Sequence, residues 1–334
     1  MTAPRKPGEP YQELPAPYYC DDSVTLYQGD AHAVATHLAD ESVDCIVTSP
    51  PYYGLRDYGA DGQYGMEDSP AEYVENMRAL FSELRRVLAD DGTIWVNLGD
   101  SYYSGRGNPG PNSADEKQPA RRGWVRPVDR PGQSWAKPKN LLGIPWRVAF
   151  ALQDDGWILR NAAIWHKPNA MPESVTDRLA NRYEHVFMFS KSRRYWFDLD
   201  AIRVPATTER AGALTWDRET DCIPGQKPQH RSGRSAAQAA RGRNPGDVWV
   251  IPTQPFAAAH FAVMPVVLAQ QCVSASCKPE GTVLDPFNGS GTTGLAAQRT
   301  GRRYVGIDIN RDYLDLTMRE RLNQAALDFG GVSE

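Results

Sequence analysis

Apolar residues along the chain fall into two alternating rhythms. Residues 24–28 and 42–48 (SVDCIVT) are short β-rich runs, and the intervening 31–40 (AHAVATHLAD) reads as a helix. Over 71–89, Val74, Met77, Leu80, Phe81, Leu84, Val87 and Leu88 recur at the helical period, and 92–98 (GTIWVNL) follows as a buried strand. The same alternation continues with a helix at 141–153 and strands at 157–165 and 185–189. It resumes with a strand at 248–251, a helix at 263–272, a strand at 282–284 and a helix at 293–299. A strand at 304–307 and a helix from 311 close the series. Strands alternating with helices predict an α/β fold with a mostly parallel sheet, whose ligands sit beyond the carboxyl ends of the strands.

Composition narrows the class. The chain has 334 residues, 41% hydrophobic and 10% aromatic, enough to build a core. No window approaches 18 apolar residues, and the first 17 residues lack the apolar run of a secretory signal. Cys20, Cys45, Cys222, Cys272 and Cys277 form no CxxC pair. That argues against a disulfide scaffold or a metal site and suits a reducing cytoplasm.

Charge is slightly acidic overall, with 37 Lys and Arg against 41 Asp and Glu, but it is unevenly placed. Residues 104–147 carry nine basic and three acidic residues, Arg126 among the former. Residues 227–246 carry five basic residues (Lys227, Arg231, Arg234, Arg241, Arg243) and no acidic one. Both stretches are rich in Gly, Pro, Ser and Gln and lack apolar periodicity, so they read as long loops. Cationic loops on an acidic chain suggest a polyanionic partner, with solvated linkers as the plainer alternative.

Three strand ends carry unusual residues. VLDPFNGSGTTG runs from strand to helix through Asp285, Phe287, Gly289, Gly291 and Gly294, and Asp308 ends the next strand 19 positions after Gly289. This matches a dinucleotide-type fingerprint, in which glycines permit close approach and the distal acid takes ribose hydroxyls. A glycine turn of purely structural purpose is the alternative. Leu295 stands where a P-loop needs lysine. The second strand end is Thr48-Ser49-Pro50-Pro51-Tyr52. Its two prolines stop the ladder and stiffen the turn, which predicts that the Ser49 hydroxyl, the Pro50 carbonyl and the Tyr52 ring project from the sheet edge. A hydroxyl and a carbonyl both accept from an NH₂ group, and a ring stacks on a planar base. The third strand end, GTIWVNLGDSYY, brings Asp100 and two tyrosines to the same edge.

Together these residues resemble the permuted β group of DNA amino-methyltransferases, in which a TSPPY-type turn precedes an FxGxG turn. The order Gly29-Asp30, then 48–52, then 287–291, then 306–308 fits that group, over about residues 24–200 and 247–325. The resemblance implies a Rossmann-like methyltransferase fold, circularly permuted in motif order, with helices on both faces of a twisted sheet. It implies S-adenosyl-L-methionine as cofactor. Asp308 would take its ribose hydroxyls, Asp30 its adenine amino group, and Asp285, Phe287, Gly289, Ser290, Gly291 and Thr292 its methionine portion. HFAVMP (260–265) is similar to the helix start that closes over that end. Ser49, Pro50, Pro51 and Tyr52 would form the catalytic turn, and no metal is implied. The division implied is a tail at 1–20, a catalytic half at 21–202 with a basic insertion at 104–140, a basic segment at 203–246, a cofactor half at 247–325 and a tail at 326–334.

The reaction implied is methyl transfer to an exocyclic amine of a base flipped out of duplex DNA, with Tyr52 or Tyr53 as a stacking wall. Ser49 at the first turn position favours N4 of cytosine over N6 of adenine. C5 methylation would need a Pro-Cys nucleophile. The residues before the cysteines are Tyr19, Asp44, Asp221, Gln271 and Ser276. Target recognition is expected from 203–246, with the loop bearing Trp124 and Trp135 as a second candidate. Arg126, Arg231, Arg234, Arg241 and Arg243 are the candidate DNA contacts. Double-stranded DNA is the expected partner, and a cognate restriction endonuclease of the same system is compatible with the resemblance. An RNA or protein amide methyltransferase shares the proline-turn logic. An NAD-dependent oxidoreductase would share the glycines but leave the proline turn and both basic loops unexplained.

Overall fold

The helix Pro70–Val87 (α2) shows how the chain builds its layers. Ser69 caps it by accepting from Glu72 N, Pro70 occupies the first turn, and Tyr73, Met77, Leu80, Phe81 and Leu84 form one buried stripe. That stripe lies on a nine-stranded sheet in a computed structural model that describes residues 15–107, 125–205, 241–254 and 263–322.

In chain order the elements are β1 (Tyr19–Cys20), β2 (Val24–Gln28), α1 (Ala31–Ala35), β3 (Val43–Thr48), α2 and β4 (Leu88–Leu98). Then come α3 (Ile144–Asp154), β5 (Ile158–His166), β6 (Tyr183–Ser190), β7 (Val248–Val250) and α4 (Val266–Ser276). The series ends with β8 (Thr282–Asp285), α5 (Thr292–Arg299), β9 (Arg303–Asp308) and α6 (Arg311–Leu316). The strand order is β1-β2-β9-β8-β3-β4-β6-β5-β7. The run β2-β9-β8-β3-β4 is parallel, while β6 lies antiparallel to both β4 and β5. The sheet is therefore mostly parallel, with helices on both faces, as the alternation predicts.

Alternation within strands divides the core into two layers. Ile46, Ile94, Val96, Phe187 and Phe189 face α1, α2 and α3, while Cys45, Val47, Trp95, Val186 and Met188 face α4 and α5. Several bounds differ from the sequence reading; α1 stops at Ala35 instead of reaching 40, and α3 starts at Ile144 instead of 141. Helix α2 ends at Val87, and β4 begins at Leu88 and continues through ADDG instead of starting at Gly92. A Cβ on Gly92 would lie 2.6 Å from Leu88 Cγ, so glycine lets the strand pass over that packed side chain. Helix α4 starts at Val266, because Pro265 sits in an extended conformation ahead of it.

A smaller unit spans Asp198–Gly246, and among its described residues Val204 and Arg243 form a backbone bridge. No helix among the described residues is long and apolar enough to cross a membrane.

Asp100, just after β4, organises the start of α3. Gly143 at the cap has no side chain to offer, and Asp100 accepts from Gly143 N at 3.0 Å and Ile144 N at 3.1 Å. It also accepts from Ser101 N at 2.8 Å. Asp100→Ala would leave these amides without acceptors and is expected to cost about 1–3 kcal/mol, read as a lower urea midpoint at unchanged slope.

Candidate active site

Strand register sets the site. Gln28 pairs with Asp308, Asp285 with Gly306, and Thr48 with Val96, so the carboxyl ends of β2, β9, β8, β3 and β4 share one edge. Lys167 follows the end of β5, and Glu184 in β6 pairs with Trp165, which brings both to the same edge. A cleft with two lobes, of about 110 and 260 Å³, opens there. Ser49, Tyr58, Phe287, Gly289 and Tyr313 line both lobes and mark where they meet.

The smaller lobe gathers Asp30, Pro51, Tyr64 and Asp308. Asp308 accepts from Gly289 N at 2.7 Å and Asn310 N at 2.8 Å. Asp30 caps α1 by accepting from Ala33 N at 2.9 Å while lining the lobe. Tyr64 meets the Phe287 ring edge-on at 5.2 Å between centroids. The larger lobe holds Pro50, Tyr52, Asp285, Ser290 and Thr292, with Val263 and Met264. Asp285 accepts from Thr48 Oγ1 at 2.7 Å and Phe287 N at 3.0 Å. Gly291 stays behind the lining: its φ is +76°, and a Cβ there would sit 2.5 Å from Thr317 Cγ2.

The proline turn is anchored from behind. Tyr73 Oη donates to Pro51 O at 2.9 Å, and Ser101 Oγ donates to Tyr53 O at 2.8 Å. The Tyr52 ring packs on Gly99, where a Cβ would lie 2.5 Å from Tyr52 Cε2. Tyr53 corrects one expectation. It is fully buried against Tyr73 and Trp135, so Tyr52 is the turn's one tyrosine in the cleft. Trp135 likewise packs on Tyr53 and Tyr103 and braces the core beneath the turn.

Polar residues that the sequence reading missed also line the larger lobe, among them Asn97, Lys167 and Glu184. Lys167 pairs with Glu184, and its Nζ lies 4.4 Å from the centroid of the Trp165 ring. Only the strand-end position of Asn97 in VNLGD was a signal; the antiparallel placement of β6 was not visible.

Of the expected DNA contacts, Arg126, Arg241 and Arg243 are among the described residues. Arg126 Nε pairs at 2.6 Å with Asp129, which is 3% exposed, so its charge is balanced within its own turn. Arg241 is 70% exposed in the smaller unit, 3.7 Å from Asp200. Arg243 is half-buried in that unit. Arg231, Arg234, Trp124 and His260 lie outside the described residues.

Burial pushes the Asp285 and Asp308 carboxyls up to about 6. A raised native pKa means that the folded protein holds the proton more tightly. The stabilisation is therefore complete below about pH 3.8 and is lost as the pH rises through about 6. For Asp285 this is a loss of about 2 kcal/mol between pH 4.5 and 7.5. Urea unfolding of Asp285→Asn is expected to lack that decrement relative to wild type; an identical pH difference in both proteins would contradict it. Gly99→Ala is expected to displace the Tyr52 ring and abolish turnover while the far-UV circular dichroism of the fold persists.

The model of a family described as DNA methylase matches residues 43–319. The type II methyltransferase M.Cfr9I of Citrobacter freundii is 46% identical over 297 residues, 89% of this chain and 87% of that protein. M.XycI of Xanthomonas campestris pv. cyanopsidis is 47% identical over 292 residues, 87% of this chain and 85% of that protein. Among solved structures, PvuII DNA methyltransferase (cytosine-N4-specific) superposes with a TM-score of 0.62 at 17% identity, covering 96% of this chain and 94% of that one. At that identity the likeness is one of fold.

Proposed function

Because the chain belongs to the DNA methylase family of amino-methyltransferases, we propose that it transfers a methyl group from S-adenosyl-L-methionine to N4 of a flipped cytosine in duplex DNA. The observation that carries the reading is the meeting of the two lobes at Ser49, with a nucleoside-type lobe on one side and a polar base-sized lobe on the other.

The cleft chemistry fits the cofactor, which supplies a methyl group activated on a positively charged sulfur. Asp308 and Asp285 are buried acids of opposite lobes, suited respectively to ribose hydroxyls and to the cationic methionine end. Asp30 would accept from the adenine amino group, and Phe287 and Tyr64, which line the same lobe, would offer it apolar ring surface. On the other side, Ser49 Oγ and Pro50 O form an acceptor pair for one exocyclic amine. Accepting both N–H groups draws the nitrogen out of conjugation and frees its lone pair to attack in line. The Tyr52 ring supplies a stacking surface for the flipped base.

Ser49 is the reason for preferring cytosine, and the segment 203–246, with Arg241 exposed, is the assigned reader of the DNA sequence. Membership of a type II system makes a cognate restriction endonuclease the expected second partner.

Incubation with the cofactor and unmodified genomic DNA, followed by nuclease digestion and mass spectrometry, is expected to give N4-methylcytosine. N6-methyladenine would reverse the base assignment, and no methylated base in DNA would remove the function. Ser49→Ala is expected to reduce transfer by about 10²–10³ while S-adenosyl-L-methionine affinity, measured by calorimetry, is retained.

A further inference from the structure

Methylating a neutral amine leaves a cationic nitrogen that must shed a proton, and a serine hydroxyl by itself has nowhere to send one. The floor of the larger lobe holds a chain of hydrogen bonds leading away from Ser49. Ser49 Oγ donates to Tyr52 Oη at 3.4 Å, and Tyr52 Oη donates to Glu184 Oε2 at 2.7 Å. Asn97 Nδ2 donates both to Tyr52 Oη at 2.6 Å and to Glu184 Oε2 at 2.7 Å. The Ser49–Tyr52 link is the long one, as catalytic hydrogen bonds often are before substrate closes a site.

Donor counting fixes the direction of this chain. A carboxylate only accepts and an amide NH₂ only donates, so the single Tyr52 proton goes to Glu184 and the Tyr52 oxygen receives Asn97 and Ser49. The Ser49 proton is thereby turned toward Tyr52, which leaves its lone pairs for the substrate amine. Asn97 Oδ1 is buried with no partner among the described residues. Leaving such an oxygen unpaired costs about 1–3 kcal/mol, yet the reversed amide would set that oxygen against the Glu184 carboxylate. The orientation that feeds the chain is thus held at the expense of local satisfaction. Burial and the neighbouring Glu184 charge keep the Tyr52 phenol well above its ordinary range, so it passes a proton and does not rest as phenolate. Lys167 holds the far oxygen of Glu184 and balances its charge before the proton arrives.

We propose that Glu184 is the proton acceptor of the reaction, reached from the substrate amine through Ser49 and Tyr52. The inference rests on the amine-methylating reading above. The amine lone pair forms the bond to the methyl carbon as the carbon–sulfur bond breaks and its electron pair stays on sulfur. One N–H proton passes to Ser49 Oγ, the Ser49 proton passes to Tyr52 Oη, and the Tyr52 proton passes to Glu184 Oε2. The products are a neutral methylamine, a neutral thioether and a protonated Glu184, which returns its proton to solvent through the cleft. Glu184 touches no reacting atom; it is a positioning and proton-accepting residue acting through Tyr52.

The test is a double-mutant cycle on single-turnover methyl transfer to sheared, unmodified genomic DNA. Tyr52→Phe and Glu184→Gln are each expected to slow transfer by about 10²-fold. Cofactor and duplex affinities are expected to stay within about twofold of wild type. Because both substitutions cut one chain, the double variant is expected to be no slower than the slower single variant. Formate is expected to restore part of the rate to Glu184→Ala. Multiplied losses, or a wild-type rate in Glu184→Gln, would overturn the relay. Should Glu184→Gln fail to fold, as shown by lost cofactor binding, Tyr52→Phe decides alone, and an undiminished rate there overturns it. Wild-type protein that methylates no DNA would fail the function itself, and the relay with it; wild-type transfer with unaffected variants fails the relay only.

Discussion

A buried side-chain hydrogen bond ties together the two strand ends that carry the turns of the cleft. Thr48 Oγ1, at the last position of β3, donates to Asp285 Oδ1, at the last position of β8, over 2.7 Å. One strand ends in the proline turn and the other in the glycine turn, so this contact helps to fix the distance between the two turns. Thr293 Oγ1 adds a second tie, donating to Val47 O at 3.2 Å. Both turns hang from these two adjacent strand ends. Methyl transfer in line tolerates little misplacement, which makes a rigid side-chain tie between parallel neighbours a fitting foundation.

Glycines serve that foundation by letting side chains close in. Gly99 admits the Tyr52 ring, and Gly306 admits Asn288 Oδ1, which a Cβ would approach to 2.7 Å. Asn288 then accepts from Tyr304 Oη at 2.8 Å and donates to Thr317 Oγ1 at 2.8 Å, pinning the glycine turn from beneath. The turn is thus held by buried polar partners on its inner side, while its outer side is free to line the cleft.

The sequence disclosed the parts that depend on local chemistry. The alternation of strand and helix, the proline turn after β3 and the glycine turn after β8 are written in contiguous residues, and the structure sets both turns on one edge. What it withheld depends on distant pairing. Glu184 and Lys167 are ordinary charged residues in their own segments, and only the antiparallel insertion of β6 between β4 and β5 carries them beside Asn97 and Tyr52. Tyr52 and Tyr53 are adjacent and chemically identical, yet the turn sends one to the cleft and the other among Tyr73 and Trp135. No periodicity distinguishes them. Arg126 reads as a DNA contact from its basic neighbourhood, and its pairing with the buried Asp129 is what the sequence did not show.

The two raised carboxyls give the cleft a further property. Holding Asp285 and Asp308 ionised at neutral pH costs the fold stability, since both are buried and neither forms an ion pair among the described residues. A cofactor that brings hydroxyl donors to one lobe and positive charge to the other removes part of that cost. A ligand that binds only the native state stabilises it by mass action, and any such relief is part of its affinity. The same carboxylates that make the protein less stable as the pH rises line the two lobes of the cleft, Asp308 in one and Asp285 in the other. Both acids sit at the last position of their strands, Asp285 in β8 and Asp308 in β9, where a raised carboxyl faces the cleft instead of the apolar layers.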